Sequence, residues 1–306
     1  MTQRRNPRRH PDEVDVPVDL VRRLVDEQFP AWRGRRLEPL PGRGTVNAVF
    51  ALTGPVGEDL LVRLPLRAEA AAGLDAERAA AHELRGRTRF ATPEVVATGE
   101  PWEGFPFGWT VLRLLPGTPA DGVDTAASEG LARDLAEFVG AVRAMPLHGR
   151  RFSGTGRGGD LHRHDAWVAE CLQRSGGLLD VAALQALWSK FRTLPHVSAD
   201  VVTHGDLVPG NLLLDDAGRL GAVLDVGGLG PTDPALDLLA AWHLFDGPAR
   251  EVFRRACGAE GLDWVRGQAW AFVQAVGLVW YYADSHPGMS SLGTRTLARV
   301  LQDPLV

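Results

Sequence analysis

The sequence predicts an α+β fold in which an antiparallel sheet comes first and helices make up most of the rest. Residues 46–52 and 59–64 are two strand-like runs separated by a Gly-Pro-Val-Gly turn, which is typical of a β-hairpin. Residues 125–144 carry apolar side chains at helical spacing, and such patterns dominate the remainder of the chain. We therefore expect a strand-rich lobe over residues 1–115 and a helix-rich lobe over residues 116–306.

The other elements follow from local patterns in chain order. In the first lobe the patterns predict further helices and strands, namely helices over 16–29 and 68–85 and strands over 95–98 and 108–115. In the second lobe two short strands joined by an Asp-Asp-Ala-Gly turn interrupt the helices. The expected strands are 211–214 and 222–225, and the expected helices are 125–144, 163–174, 178–194 and those from 233 onward.

Charge and hydropathy argue against several classes of protein. The chain has 33 basic and 38 acidic residues, and this net charge of −5 argues against a nucleic-acid binder, which needs a basic face. No run of 18 uncharged apolar residues occurs, so we expect no membrane-spanning segment. The basic beginning of the chain lacks the apolar stretch of a secretory signal, and we expect residues 1–13 to form a flexible tail.

The sequence contains two cysteines, Cys171 and Cys257, which lie far apart in apolar helical segments. This usage predicts buried thiols in a reducing compartment rather than a disulfide framework or a metal site. We therefore expect a cytoplasmic protein.

The densest polar cluster lies between two apolar, strand-like runs. It reads His-Gly-Asp-Leu-Val-Pro-Gly-Asn over 204–211, and Asp225 follows at the end of the next strand. A hairpin of these strands would bring Asn211 and Asp225 to one edge, with Asp206 nearby. Two carboxylates and an amide are hard oxygen donors that suit Mg²⁺ held mainly through substrate phosphates. The two motifs in this order indicate phosphoryl transfer, in which one Asp accepts the proton of a hydroxyl.

These motifs resemble the aminoglycoside phosphotransferase family of antibiotic kinases, which share the protein-kinase-like two-lobed fold. The resemblance covers nearly the whole chain and is most specific over 204–213, 223–227 and 232–238. Two positions depart from the family's usual pattern, since Thr232 stands for a Gly and Val226 for a Phe. Both positions are peripheral to the expected chemistry.

The resemblance implies roles for individual residues. Asp206 corresponds to the catalytic base, and Asn211 and Asp225 correspond to the Mg²⁺ ligands. From its neighbours alone, we expect His204 to brace the loop by hydrogen bonding. Asp233 precedes a Pro, which is typical of a helix N-cap, so we expect it to cap the following helix and Asp237 to brace that helix.

The first lobe is expected to bind the nucleotide. Gly42, Gly44 and Asn47 lie in a turn before a strand, where glycines let backbone N–H groups approach phosphates, and Gly44 and Asn47 match the family's Gly-x-x-Asn stretch. An ordinary turn remains an alternative for this segment. The resemblance also implies that the backbone around Leu112 and Leu114 meets the nucleotide base.

Arg63 stands where most of these kinases have a phosphate-binding lysine, and Glu77 matches the partner acid of that lysine. The chain has a single lysine, Lys190, which lies far from this motif. Arginine can still hold phosphate oxygens bidentately. The Val-Arg-Leu-Pro run also resembles the macrolide-kinase branch, where GTP is favoured, so the donor remains ATP or GTP. A solvent-facing Arg63, and a nucleotide-binding protein without transfer activity, are alternatives.

The acceptor is expected to be a small, cationic molecule with a hydroxyl group. Residues from 116 onward carry 16 basic and 22 acidic side chains, which favours a polycationic aminoglycoside. Macrolides and metabolic alcohols are alternatives. Tyr281 and Asp284, near the end of the chain, are candidate acceptor contacts. A glycine-rich stretch over 153–159 matches a dinucleotide motif but follows a helix, so we interpret it as a mobile loop near the acceptor.

Overall fold

The computed structural model describes residues 13–40, 46–55 and 57–303. These residues divide into two compact units. The first unit holds the chain up to Arg85 together with Ala91–Pro116 and Asp225–Gly227. The second unit holds Gly86–Phe90, Gly117–Leu224 and the chain from Gly228 onward.

The first unit is built on a five-stranded antiparallel sheet of order β1-β2-β3-β5-β4. Its strands are β1 (Arg36–Pro39), β2 (Asn47–Thr53), β3 (Leu60–Pro65), β4 (Val95–Gly99) and β5 (Trp109–Arg113). β2 and β3 form the expected hairpin. The sequence pattern missed β1, a four-residue strand at the edge of the sheet whose residues are mostly exposed and therefore show no alternation of apolar and polar side chains.

Within the described residues, the first unit also contains three α-helices: α1 (Val18–Gln28), α2 (Ala68–Ala72) and α3 (Leu74–Leu84). α1 buries Leu20, Val21, Leu24 and Val25, which pack in one core with sheet residues such as Phe50 and Val62. The single helix predicted over 68–85 is wrong at Gly73, where one helix ends and the next begins. Glycine in a helix interior weakens the helix, which accounts for this break.

The second unit is mainly helical. Its helices are α4 (Glu129–Arg143), α5 (Asp165–Arg174), α6 (Val181–Phe191), α7 (Ala240–Leu244), α8 (Gly247–Ala256), α9 (Gly261–Tyr281) and α10 (Pro287–Gln302). Ser128 caps α4 by accepting the N–H of Leu131, so this helix begins later than the expected residue 125. α9 is buried along most of its length and packs against α10 and α5.

Two small antiparallel sheets position the polar motifs in the second unit. One has the order β6-β8-β9, from β6 (Thr118–Pro119), β8 (Leu212–Leu214) and β9 (Leu220–Val223), and the other pairs β7 (Val201–Thr203) with β10 (Gly230–Thr232). The predicted hairpin after the polar loop is therefore present as β8 and β9. Its strand bounds were predicted wrongly at both ends, since Asn211 closes a 3₁₀ turn and β9 ends before Leu224.

A buried ion pair holds α9 to the segment after β10. The Arg266 side chain donates to Asp233 Oδ2 at 2.5 Å, and Trp270 Nε1 donates to the same oxygen at 2.8 Å. Asp233 Oδ1 accepts the N–H of Ala235 at 2.9 Å, which closes a turn just before the next helix. The prediction that Asp233 is the N-cap is wrong, since Ala235 stands at the N-cap of the 3₁₀ helix Leu236–Leu239 and no side chain caps that helix. Both charged side chains are almost fully buried, so each depends on the other for its electrostatic compensation.

Neither cysteine is in a disulfide; Cys171 is buried as expected, whereas Cys257 is only partly buried. Burial raises the pKa of Cys171 and raises the pKa of Cys257 to about 12, so both remain thiols near neutral pH. Across the described residues, no helix is both long and apolar enough to cross a bilayer.

Candidate active site

The polar loop after β7 is held in place by its neighbours. His204 is fully buried; its Nε2 lies 3.0 Å from the carbonyl of Leu224, and its Nδ1 accepts the N–H of Asp206 at 3.3 Å. His204 therefore braces the loop, as the sequence predicted. Gly205 has a φ of +82°, a backbone conformation that favours glycine. This turn directs the chain from the buried His204 to the half-exposed Asp206.

The carboxylate of Asp206 is contacted by three side chains of the second unit. Its Oδ1 accepts a hydrogen bond from Arg157 at 2.7 Å and another from Gln274 at 2.6 Å. Its Oδ2 accepts one from Asn211 Nδ2 at 3.0 Å. Burial by itself would raise the pKa of Asp206, but the charge and hydrogen bond of Arg157, assisted by His204 and Gln274, hold that pKa below its usual value. Asp206 is therefore a carboxylate at neutral pH.

A chain of hydrogen bonds continues from Asp206 into the core. Gln274 donates to the carboxylate through its amide nitrogen, and its Oε1 lies 2.9 Å from His243 Nε2. His243 Nδ1 lies 2.9 Å from Thr296 Oγ1. Since a carboxylate only accepts, the amide oxygen of Gln274 must accept from His243, which fixes the Nε2–H tautomer of this histidine. Burial lowers the pKa of His243 to about 4, so the ring is neutral.

Asn211 and Asp225 carry the oxygen donors expected for Mg²⁺. The amide nitrogen of Asn211 donates to the backbone oxygen of Asp206 at 2.9 Å and also to its carboxylate. The amide oxygen of Asn211, Oδ1, is therefore the atom that can ligate a cation. Asp225 is exposed and has a φ of +56°. An amide oxygen and a carboxylate fit Mg²⁺, which takes few protein ligands and completes its shell with phosphates and water. Over the described residues, no cluster of three or more His, Cys, Asp or Glu side chains forms a metal site.

In the first unit, Arg63 of β3 and Glu77 of α3 form an ion pair and are both largely buried. Thr110 of β5 lies opposite Arg63 in the sheet. Among the buried polar atoms that have no hydrogen-bond partner within the described residues are Asn47 Oδ1, Arg63 Nε, Glu77 Oε1 and Thr110 Oγ1. Buried polar groups are nearly always satisfied in native proteins, so the unpartnered atoms of Arg63, Glu77 and Thr110, which line one cavity, indicate a polar site in this unit.

The other candidate nucleotide contacts lie in the same unit. Arg63, Glu77, Thr110 and Leu112 line one cavity between α3 and the sheet. The N–H of Leu114 donates to the carbonyl of Asp59 at 2.9 Å. Gly42 and Gly44 lie outside the described residues.

The candidate acceptor contacts are at the exposed end of α9. Tyr281 is 41% exposed and packs edge-on against Trp280 and Tyr282, and Asp284 is exposed in the turn that follows. Tyr281 lies seven residues after Gln274, so both residues share one face of the helix. The structure thus places one of these candidates on the helix face that contacts Asp206.

Sequence reasoning missed Arg157 and Gln274 as partners of Asp206. They lie 49 and 68 residues away from it along the chain, and neither belongs to a recognisable motif. The one available signal was the crowding of arginines around the glycine-rich stretch over 153–159. That stretch was expected to be mobile, but its last two residues, Gly158 and Gly159, are buried.

A family model, the phosphotransferase enzyme family, matches residues 36–275 of this chain. A curated relative, the aminoglycoside 3'-phosphotransferase of Streptomyces fradiae, is 32% identical over 182 residues. That match covers 51% of this chain and 63% of the relative, so the similarity spans less than two thirds of the relative's length.

Solved structures of similar fold cover almost the whole chain. The GDP complex of an aminoglycoside 2'-phosphotransferase IIIa is 20% identical, with a TM-score of 0.72 over 94% of this chain and 99% of that chain. The macrolide 2'-phosphotransferase from Brachybacterium faecium is 21% identical, with a TM-score of 0.62 over 91% of this chain and 99% of that chain. At these identities the similarity establishes the kinase-like fold.

Proposed function

We propose that this chain, which belongs to the phosphotransferase enzyme family, transfers the γ-phosphoryl group of a nucleoside triphosphate to a hydroxyl group of an aminoglycoside. The observation that carries the proposal is the environment of Asp206. Three hydrogen-bond donors hold an ionised carboxylate whose Oδ1 has two of them and whose Oδ2 has one. The remaining acceptor position on Oδ2 suits the hydroxyl of an acceptor.

Asp206 orients the acceptor hydroxyl and takes its proton as phosphoryl transfer proceeds. Little covalent chemistry is required of the protein, because catalysis of this reaction rests on positioning and on neutralising phosphate charge. A lowered pKa keeps Asp206 ionised and ready to accept a hydrogen bond. Its Oδ2 is the atom on which we place the hydroxyl.

Asn211 and Asp225 are the residues we propose as Mg²⁺ ligands. Their residue types and their positions in the two motifs support this assignment, as does the orientation of the Asn211 amide, whose nitrogen is engaged by Asp206. When bound, Mg²⁺ neutralises charge on the phosphates of the donor.

Arg63 and Glu77 are proposed to hold the donor phosphates, together with Gly42, Gly44 and Asn47. Asn47 was expected in a turn and is instead the first residue of β2. Glu77 fixes the guanidinium of Arg63 and leaves its Nε as an N–H donor with no partner in the described part of the chain. The backbone near Leu112 and Leu114 is proposed to meet the base. The donor is ATP or GTP.

The acceptor class rests on similarity and charge. The Streptomyces fradiae relative is an aminoglycoside 3'-phosphotransferase, and the acidic excess after residue 116 suits a polycation. Asp284 and Tyr281 are the proposed contacts. A macrolide is the second candidate, and a specific observation favours it: Trp167 and Tyr281 are each about 40% exposed, which gives apolar surface to a bulky acceptor.

A transfer screen tests this proposal. The purified chain is incubated with Mg²⁺, with ATP and GTP in parallel, and with a panel of aminoglycosides, macrolides and simple alcohols, and mass spectrometry detects the addition of one phosphate. We expect transfer to aminoglycosides by the wild type and by a control, Asp216→Asn, in an exposed turn, but not by Asp206→Asn. Nucleotide binding without transfer to any acceptor would contradict the proposal and indicate a nucleotide-binding protein without kinase activity.

A further inference from the structure

Arg157 reaches Asp206 from the glycine-rich segment between α4 and α5. Its Nη2 donates to Asp206 Oδ1 at 2.7 Å and to the carbonyl of Gly205 at 3.0 Å. One nitrogen thus binds two successive residues of the polar loop. The loop itself, from His204 to Asn211, contains no arginine or lysine, so Arg157 brings the cation that contacts this carboxylate.

The segment that carries Arg157 is anchored directly after it. Gly158 has a φ of +137°, and a Cβ at this position would overlap the hydroxyl of Thr232 and the ring of Phe152. The carbonyl of Gly159 accepts a hydrogen bond at 2.6 Å from the fully buried Arg266. Only glycine permits this packing, and it fixes the backbone from which Arg157 extends.

Gln274 also donates to Asp206 Oδ1, and it follows Asp206 in the sequence whereas Arg157 precedes it. It lies in the middle of the buried α9, and its amide is oriented by His243, which in turn is oriented by Thr296. Oδ1 therefore has two rigidly supported donors. Since a carboxylate with one oxygen held by two donors cannot rotate freely, Oδ2 keeps a fixed direction.

We propose that Arg157 and Gln274 form a clamp on Oδ1 of Asp206, as positioning residues that present Oδ2 to the acceptor hydroxyl. This inference rests on the proposed function, because it assigns the geometry of the same base. Arg157 and Gln274 act through Asp206 and not on the transferred group. Their loss is expected to lower turnover more than it weakens acceptor binding.

The test compares Arg157→Gln with Arg151→Gln, which removes an exposed arginine from the same segment. We expect Arg157→Gln to lower kcat roughly 10- to 100-fold, with the KM for acceptor changed within about threefold, because misplacing a reacting group by about 1 Å costs that much. Arg151→Gln should match the wild type. Arg157→Lys should retain more turnover than Arg157→Gln, because it keeps the charge without the planar fork.

Chemical rescue separates positioning from a structural role. Guanidinium chloride at low millimolar concentration should restore part of the turnover of Arg157→Ala and leave Arg151→Ala unchanged. A merely structural arginine would give no such rescue, and its loss would appear in the thermal unfolding midpoint. The clamp would be overturned if Arg157→Gln turned over as fast as Arg151→Gln. It would also be overturned if Arg157→Gln were faster than the wild type, which would mean that Arg157 blocks the acceptor.

A second pair of variants tests whether the two residues act on one oxygen. Gln274→Met should lower kcat in the same way, and the double variant Arg157→Gln/Gln274→Met should lose less than the product of the two single effects. Fully multiplicative effects would overturn the shared clamp. A crystal structure of the double variant gives a readout that does not depend on activity. An Asp206 side-chain torsion unchanged from the wild type would also overturn the shared clamp. Failure of the wild type to phosphorylate any acceptor would count against the proposed function alone.

Discussion

Asp237 holds the backbone of Gly205, whose N–H donates to its Oδ1 at 2.8 Å. The other carboxylate oxygen accepts the N–H of His204, also at 2.8 Å. Asp237 is fully buried, so this pair of charge-assisted bonds fixes the polar loop just before Asp206. The residue was expected to brace the following helix, and it instead braces the loop that carries Asp206.

Asp237→Asn should therefore damage activity and stability together. An amide has one acceptor oxygen, so one of the two backbone N–H groups faces a donor and is left unsatisfied, which costs roughly 1–3 kcal/mol. The displaced loop should lower kcat by about 100-fold while nucleotide affinity stays within a few-fold. Steady-state kinetics, nucleotide titration and urea unfolding measure these effects. A variant with wild-type kcat would show that this anchor does not position Asp206.

Arg63 should control nucleotide affinity. Arg63→Ala removes the charge and the N–H donors next to Glu77, and we expect the KM for the nucleotide to rise at least about tenfold, with little change in the KM for acceptor. Arg63→Lys should lose less, because a lysine keeps the positive charge at this position. Arg36→Gln, on the exposed edge strand, is the control. An unchanged nucleotide KM in Arg63→Ala would indicate that Arg63 has only a structural role.

Breaking the buried ion pair between Arg266 and Asp233 should lower the unfolding free energy strongly. Arg266→Met leaves the Asp233 carboxylate buried without its partner, and the expected loss of unfolding free energy is about 3–5 kcal/mol. Arg255→Met breaks an exposed pair with Glu251 and should cost about 1 kcal/mol or less. Urea unfolding of both variants compares them. Equal losses would mean that burial does not govern the strength of the pair.

Stability should fall between pH 7 and pH 5 because of His243. Burial lowers its pKa to about 4 in the folded protein, while an unfolded histidine titrates near 6.5. Between these values the unfolded state binds more protons, so the unfolding free energy decreases as pH falls. The titration of His243 alone should lower the unfolding free energy by about 2 kcal/mol between pH 7 and pH 5.

His243→Gln provides the comparison for that pH dependence. The variant lacks the titrating ring, so its unfolding free energy should change by about 2 kcal/mol less over the same pH interval than that of the wild type. Urea unfolding at pH 5, 6 and 7 gives both slopes. Identical slopes would contradict the assignment of a buried, neutral His243.

The fold could be predicted from the sequence where short-range patterns determine it. The β2–β3 hairpin follows from two apolar runs around a Gly-Pro turn, and the β8–β9 hairpin follows from an Asp-Asp-Ala-Gly turn. Prediction failed where the signal was weak or ambiguous. The edge strand β1 shows no alternation, and Gly73 divides a helix whose alanine-rich pattern reads as continuous.

One contact within the candidate site could be predicted from the sequence, whereas the contacts that hold Asp206 from outside its loop could not. Asp206 and Asn211 lie in one short loop, so their contact followed from spacing. Arg157 and Gln274 reach Asp206 through tertiary packing, from a loop and a helix whose local sequences have no catalytic pattern. Long-range contacts of this kind depend on how the helices of the second unit pack, and a single sequence does not contain that information.

The role of Asp206 as the base is tested most directly by the single-turnover rate of phosphoryl transfer by Asp206→Asn. General-base catalysis contributes about 10²- to 10⁴-fold, so we predict a rate loss of that size, with nucleotide affinity within a few-fold of the wild type and full activity in Asp216→Asn. An Asp206→Asn protein that binds nucleotide and transfers phosphate at most of the wild-type rate would contradict the assignment of Asp206 as the base.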